Sequence, residues 1–288
     1  MMDTFTRKDL DSPRIQAEML LEHVLGCKRL DLYTDPDRPA SPLERATLRD
    51  LITRALKHEP VQYLVGEASF FGKMFKVDKR VLIPRPSTGT IVEEALQHNR
   101  ATGIASRAKG DGLLIADICT GSGCIAITLL KNLPGARAIA TDISPGALEL
   151  ARENATRHNV LDRLDLLEGD LLTPLREFPP ASGVESFDYF VSNPPYIPDS
   201  EWSAVEPNVK DYEPHLALRG GVDGLNFITP LITQAPPFLK SGGMLLIECA
   251  ASHIQQAAEL CRAQSILEDI RILKDIDGLP RIIAARRA

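Results

Sequence analysis

The sequence has no basic excess. Its 33 Lys and Arg stand against 39 Asp and Glu, a net charge of −6 over 288 residues. A protein that grips a nucleic-acid backbone over a long footprint carries the opposite balance, so no direct nucleic-acid partner is expected. No apolar run reaches the length of a membrane span. The first ten residues mix Asp3, Arg7, Lys8 and Asp9, with neither an apolar signal region nor an Arg-rich, acid-poor transit character. The five cysteines, Cys27, Cys119, Cys124, Cys249 and Cys261, are an odd number without a CxxC pair, and no His/Cys cluster has metal-ligand spacing. Reduced thiols, no metal and no membrane, in a cytoplasmic protein, are what these absences imply. There is no internal repeat. What is present, 44% hydrophobic and 25% charged residues, is ordinary for a globular chain, and the length suggests two domains at roughly 150 residues each.

The two parts differ in texture. Residues 1–65 read as helices. Ser12-Pro13 has the form of an N-cap followed by a first-turn proline, with Ile15, Met19 and Val24 near one face and Gly26 as a C-terminal stop. Ser41-Pro42-Leu43-Glu44 combines N-cap, proline and capping-box glutamate. Residues 66–86 read as a β-hairpin connector. Phe70, Phe75 and Val77 and then Val81-Leu82-Ile83 suggest two strands around the polar turn Asp78-Lys79-Arg80, ended by the extended Pro84-Arg85-Pro86. Residues 87–288 alternate strand and helix, with apolar runs at 113–118, 136–141, 164–167, 189–192 and 244–247, and a surface loop expected at 99–112. That alternation specifies a parallel sheet covered on both faces. The tail, 269–273 and 281–285 around Asp277-Gly278, reads as an appended hairpin.

Asp117-Ile118-Cys119-Thr120-Gly121-Ser122-Gly123 follows a predicted strand and opens a predicted helix. Ligands in open α/β sheets bind beyond the carboxyl ends of the strands. Gly121 and Gly123 would let backbone approach a ligand, and the free N–H groups of the helix start favour a carboxylate or phosphate. Asp142 ends the next strand about 20 residues on, where an acid reaches ribose hydroxyls. Ser144 can cap the following helix, which would leave Asp142 free. The spacing Gly121-x-Gly123-x-x-Ala126 also satisfies the dinucleotide fingerprint, so this half alone allows a nicotinamide dehydrogenase. The second motif, Asn193-Pro194-Pro195-Tyr196, follows the fourth run. A planar NH2 group could donate to the Asn193 carboxamide oxygen and to the Pro194 carbonyl. Proline stiffens that turn, and the Tyr196 ring can lie against a flat amide or base. A dehydrogenase leaves this motif unexplained.

Together the two motifs resemble the class I S-adenosylmethionine-dependent methyltransferases that act on planar NH2 groups. Phe70-Phe71-Gly72, Val81-Leu82-Ile83-Pro84-Arg85-Pro86, Tyr212-Glu213-Pro214 with Ala217-Leu218, and Lys274-Asp275 with Gly278 and Arg281 are similar to the release-factor glutamine N5-methyltransferases over nearly the whole chain. The resemblance implies a seven-stranded, mostly parallel Rossmann-like sheet with an antiparallel C-terminal hairpin, preceded by a small helical domain that docks the substrate. It implies methyl transfer from S-adenosylmethionine to the glutamine of the Gly-Gly-Gln loop of a peptide-chain release factor. The cofactor would lie against Cys119, Thr120, Gly121, Ser122 and Gly123, with Asp142 on the ribose, Asp170 and Leu171 at the adenine, and Asn193 beside the methyl. The acceptor would meet Asn193, Pro194, Pro195 and Tyr196, with Asn193, Pro194 and Tyr196 acting in transfer. Methylation of an exocyclic amine on a nucleic-acid base is the nearest rival. The chain departs from the resemblance at Ser87-Thr88-Gly89, where many members have Glu-Thr-Glu, and no role is carried over to those positions. Glu248 either is structural or lines the pocket.

Overall fold

The computed structural model describes residues 1–288 except 9, 11, 36, 103–111 and 178–185. Five helices come first: α1 (Met2–Arg7), α2 (Pro13–Leu25), α3 (Asp31–Thr34), α4 (Pro42–Ala55) and α5 (Val61–Val65). They enclose a small core of their own, in which Phe5, Leu20, Leu51, Ala55 and Val61 are buried. At α4 the Ser41 hydroxyl accepts from Glu44 N and the Glu44 carboxylate accepts from Ser41 N, the full capping box. Two expectations at α2 are corrected. Ser12 occupies the N-cap with φ 45° and makes no side-chain cap bond. Ile15 is 51% exposed, and the buried residues of α2 are Ala17, Glu18 and Leu20. Glu18 explains the tilt: its carboxylate takes Arg14, Arg29 and Tyr33 as partners, which turns that side of the helix toward α3.

The connector is a hairpin, but its turn is not where the charge pattern puts it. β1 (Glu67–Phe70) pairs antiparallel with β2 (Lys73–Lys76), Glu67 opposite Lys76 and Phe70 opposite Lys73. The turn is Phe71-Gly72, with φ 48° and 71°, the positive-φ pair that matches strand twist in two-residue hairpins. Asp78-Lys79-Arg80 is a separate turn closed by Val81 N to Asp78 O. Val81 and Ile83 are not strand residues; they are buried against Ala147 and Leu150. Arg85 is extended, as the flanking prolines require.

The remaining elements are α6 (Gly89–Ala101), β3 (Leu114–Ile118), α7 (Cys124–Asn132), β4 (Arg137–Asp142), α8 (Pro145–Arg157), β5 (Leu164–Glu168), α9 (Thr173–Glu177), β6 (Phe187–Ser192), β7 (Ile197–Pro198), α10 (Pro207–Lys210), β8 (Arg219–Gly221), α11 (Ile228–Gln234), β9 (Leu239–Glu248), α12 (Ile254–Arg262), β10 (Leu267–Lys274) and β11 (Pro280–Arg287). The loop expected at 99–112 is helical through Ala101, and residues 103–111 lie outside the described part. Seven strands form one sheet in the order β10-β11-β9-β6-β3-β4-β5. β5, β4, β3, β6 and β9 are parallel; β11 and β10 are antiparallel. Successive side chains alternate between two cores. Ile115, Ala138, Ala140, Val191, Leu246 and Ala284 face α6 and α7. Ala116, Ile118, Phe190, Leu245, Ile247 and Ile283 face α11 and α12. The parallel strands are therefore apolar through most of their middles, and Asp142, Ser192 and Glu248 stand at the ligand-facing ends of β4, β6 and β9.

Asn154, fully buried in α8, joins the connector to the first βα loop. Its Oδ1 accepts from Lys76 N at 2.7 Å, and its Nδ2 donates to Lys76 O and to Ser122 O, each at 3.0 Å. Asn154→Ala would leave one donor and two acceptors of the backbone without this partner, at ~1–3 kcal/mol for each that stays unsatisfied. We expect a loss of at least ~2 kcal/mol and a thermal midpoint lower by ~4 °C or more. Unchanged unfolding by calorimetry would show that Asn154 does not hold the connector.

Candidate functional site

A cleft of about 1020 Å³, including its solvent-open mouth, lies beyond the carboxyl ends of the strands. Cys119, Thr120, Gly121, Ser122, Asp142, Asp170, Leu171, Asn193 and Pro195 line it. A smaller cavity adjoins it, lined by Leu82, Arg85, Asn193, Tyr196, Ala217 and Leu218 among others. Asn193 borders both, as do Leu82, Arg85 and Ala217. The adjacency of the two motifs follows from strand order, because β3 and β6 are parallel neighbours with Ile118 opposite Ser192. The Ser192 hydroxyl donates to Ile118 O at 2.7 Å and ties the two strand ends together.

Asp142 is held rather than free. Its Oδ2 accepts from Gly121 N and its Oδ1 from Ser144 N, both at 2.9 Å. Ser144 does cap α8, through Ala147 N. Each Asp142 oxygen keeps lone-pair capacity toward the cleft. Burial raises its proton affinity, while the N–H groups of Ser144, Gly121 and Ile143 favour the charge. Asp117 is wholly buried beneath the loop: its Oδ2 accepts from Thr120 Oγ1 at 2.7 Å and Ala126 N at 3.1 Å, and its Oδ1 has no partner. Burial lifts its pKa to about 7 against those two bonds. Cys119 and Leu171, which both line the cleft, sit at φ 60° and 46°. Such left-handed conformations in non-glycine residues concentrate at ligand sites.

Two expected contacts are corrected or narrowed. Gly121, at φ 55°, has open space where a Cβ would stand, so backbone there can meet a ligand. Gly123 has a packing role: a Cβ would lie 2.8 Å from Ile127 Cδ1 and 3.3 Å from Ala151 Cβ, between α7 and α8. Gly123 does not border the cleft, and Pro194 is buried and borders neither cavity. Asp170 is exposed at the rim. Among the described residues no group of three His, Cys, Asp or Glu could hold a metal, and no helix is long and apolar enough to cross a membrane.

Sequence reasoning assigns nothing to Thr88, and the structure puts it against Asn193. Asn193 Nδ2 donates to Thr88 Oγ1 at 3.1 Å. Glu248, at the buried end of β9, accepts from Tyr196 Oη at 3.1 Å. A polar residue closing an apolar strand was the only signal for Glu248; nothing local marks Thr88. Glu213 is likewise buried, accepting from Ile83 N at 3.0 Å and pairing with Arg85, so the connector is pinned over the smaller cavity. Burial raises its proton affinity and Arg85 opposes that.

Residues 2–66 match the family described as the PrmC N-terminal domain, and residues 115–211 match a methyltransferase domain. The release factor glutamine methyltransferase of Chlorobaculum tepidum is 43% identical over 278 residues, 96% of this chain and 91% of that protein. The one of Geobacter sulfurreducens is 39% identical over 279 residues, 97% and 91% of the two chains. Among solved structures, the hMettl16 catalytic domain in complex with MAT2A 3'UTR hairpin 6 aligns with a TM-score of 0.57 at 17% identity, covering 76% of each chain. That likeness concerns the fold alone.

Asp117 gives the site a pH signature. An unfolded aspartate titrates near ~3.9, whereas the folded one titrates at about 7. Between those values the folded state binds more protons, so its stability falls as pH rises through roughly 4 to 7, by at most ~1.4 kcal/mol per unit. Asp117→Asn should flatten that part of the profile in urea unfolding at pH 4.5 to 7. Identical slopes for the two proteins would contradict the assignment.

Proposed function

The chain belongs to the release factor glutamine methyltransferase family, and we propose that it transfers a methyl group from S-adenosylmethionine to the side-chain amide nitrogen of the Gly-Gly-Gln glutamine of a peptide-chain release factor. The observation that carries this reading is the position of Asn193, which borders both the larger cleft and the smaller cavity. A group that must hold an acceptor against a donor belongs at such a junction.

The residues present fit the cofactor. Asp142 offers acceptor capacity to ribose hydroxyls, and Gly121 leaves open space beside the loop. Asp170 and Leu171, which line the cleft, would meet the adenine in this reading. S-adenosylmethionine, when bound, supplies an electrophilic methyl on a positive sulfonium. On the acceptor side, Asn193 Oδ1 accepts one hydrogen of the glutamine NH2; the Pro194 carbonyl would take the other once the acceptor enters, since Pro194 borders neither cavity as they stand. Tyr196 packs on the amide and excludes water. An amide nitrogen is a poor nucleophile, so orientation is the enzyme's contribution, worth up to ~7–11 kcal/mol when fully realised. The nitrogen gains the methyl, and one of its protons leaves to water. The helical region, residues 1–65, is the docking surface for the body of the factor in this reading.

Two substitutions separate binding from transfer. Asp142→Ala removes a charged acceptor, whose bonds are worth ~1.5–3 kcal/mol each. Calorimetric titration should show S-adenosylmethionine affinity weakened by about tenfold or more, and unchanged affinity in a folded protein would remove Asp142 from the site. Asn193→Ala should keep that affinity near wild type while methyl transfer to an intact release factor collapses. The same labelled cofactor offered with DNA or RNA should leave nucleic acid unlabelled. Transfer to a base, or a full rate from Asn193→Ala, would refute the reading.

A further inference from the structure

We propose that Glu248 and Gly220 are positioning residues that fix the Tyr196 ring against the acceptor amide, one at its hydroxyl and the other at its backbone. This rests on the function proposed above, in which that ring packs on the glutamine side chain. Tyr196 is half-buried and borders the smaller cavity. The χ2 torsion of a tyrosine is broad, so a ring held only by its own Cα could tilt, and an amide packed on it would tilt too.

The sheet holds the hydroxyl end. Tyr196 Oη donates to Glu248 Oε1 at 3.1 Å. Glu248 is fully buried, and its backbone is locked between strands: it stands opposite Ile282 of β11, and Cys249 N, the next donor along, bonds to Arg281 O at 2.8 Å. A carboxyl oxygen accepts in either protonation state, so the bond does not depend on the charge of Glu248. The segment around β8 holds the backbone end. Ile197 N donates to Leu218 O at 2.9 Å and Asp199 N to Gly221 O at 2.8 Å, which lays the chain just past Tyr196 along β8. Two glycines then close on Tyr196 itself. A Cβ on Gly220 would stand 2.7 Å from Tyr196 Cα and 2.8 Å from its carbonyl carbon, and one on Gly224 would stand 2.5 Å from Tyr196 O. Gly224 also has φ 74°, whereas Gly220 lies outside the left-handed region. At Gly220, then, the closeness of its neighbours, Tyr196 first, is what excludes a side chain.

The test uses the full-length protein with S-adenosylmethionine and an intact release factor. Tyr196→Phe keeps the ring and frees its tip. Its kcat should fall about 10–100-fold, as for a misplaced nucleophile, while KM for the factor and cofactor affinity stay within about threefold of wild type. Glu248→Leu should show the same split. Tyr196→Phe combined with Glu248→Leu should be no slower than either alone, because both remove one bond. Glu248→Gln keeps an accepting oxygen and should keep kcat within about threefold of wild type. Gly220→Ala adds the excluded Cβ and should lose kcat with KM and cofactor affinity retained. In carbon NMR of protein labelled at tyrosine Cζ, the signal that Tyr196→Phe removes should shift in Glu248→Leu and in Gly220→Ala. A wild-type kcat in Tyr196→Phe, Glu248→Leu or Gly220→Ala would overturn the proposal, as would losses that multiply in the double variant, a glutamine variant as impaired as the leucine one, or a loss confined to cofactor affinity. If Glu248→Leu or Gly220→Ala does not fold, a wild-type kcat in Tyr196→Phe or an impaired Glu248→Gln overturns it. If the wild type fails to methylate glutamine, the function above falls, and an unmoved Tyr196 signal in the variants still overturns the hold on the ring.

Discussion

Asp142 ends β4 with its two carboxylate oxygens on two different backbone N–H groups, Gly121 in the loop after β3 and Ser144 at the start of α8. The first bond reaches across to the neighbouring strand's loop; the second closes its own. Burial raises the proton affinity of this carboxyl, and the backbone N–H groups oppose that; hydrogen bonds to a charged group contribute ~1.5–3 kcal/mol each. Without this carboxylate the glycine loop and the α8 cap would be set independently, and the cleft between them would lose its shape. Ser192 does a parallel task one strand over, joining the β6 end to β3. The ligand-facing edge of the sheet is therefore held by side chains that bridge strand ends, while the apolar alternation beneath holds the strands themselves.

The outer wall depends on long-range polar ties of the same kind. Glu213 reaches back to Ile83 and Arg85, and Asn154 grips Lys76 and Ser122. Tyr63 donates to Val81 O and Tyr212 to Lys57 O, so the helical region is fastened to the connector and to the segment that covers the smaller cavity. These ties join the helical region to the wall that stands beside Asn193.

Much of this was legible in the sequence because it is written locally. Continuous apolar runs give parallel strands, Ser41 with Glu44 gives a helix start, and Asn193-Pro194-Pro195-Tyr196 stands out against any bland turn. What was not legible is set by tertiary partners. The hairpin turn falls at Phe71-Gly72, where a large apolar residue takes a left-handed φ that no local pattern advertises. Val81 and Ile83 resemble a strand, yet their burial is spent against α8 without pairing. Gly123 looks like a ligand-approach glycine and is a helix-packing one. Thr88 lies in Ser87-Thr88-Gly89, to which no role is carried over; its place against Asn193 exists only after residues 105 apart in sequence come together.

The most direct test of the account is a structure of the protein with S-adenosylhomocysteine and a release factor bound together. The account requires the adenosine against Asp142, Asp170 and Leu171, and the glutamine amide on the Asn193 oxygen. It also requires the amide nitrogen to be aligned with the sulfur at a distance that leaves room for one methyl group. A nucleoside bound outside the cleft, or a glutamine that meets the protein away from Asn193, would contradict it.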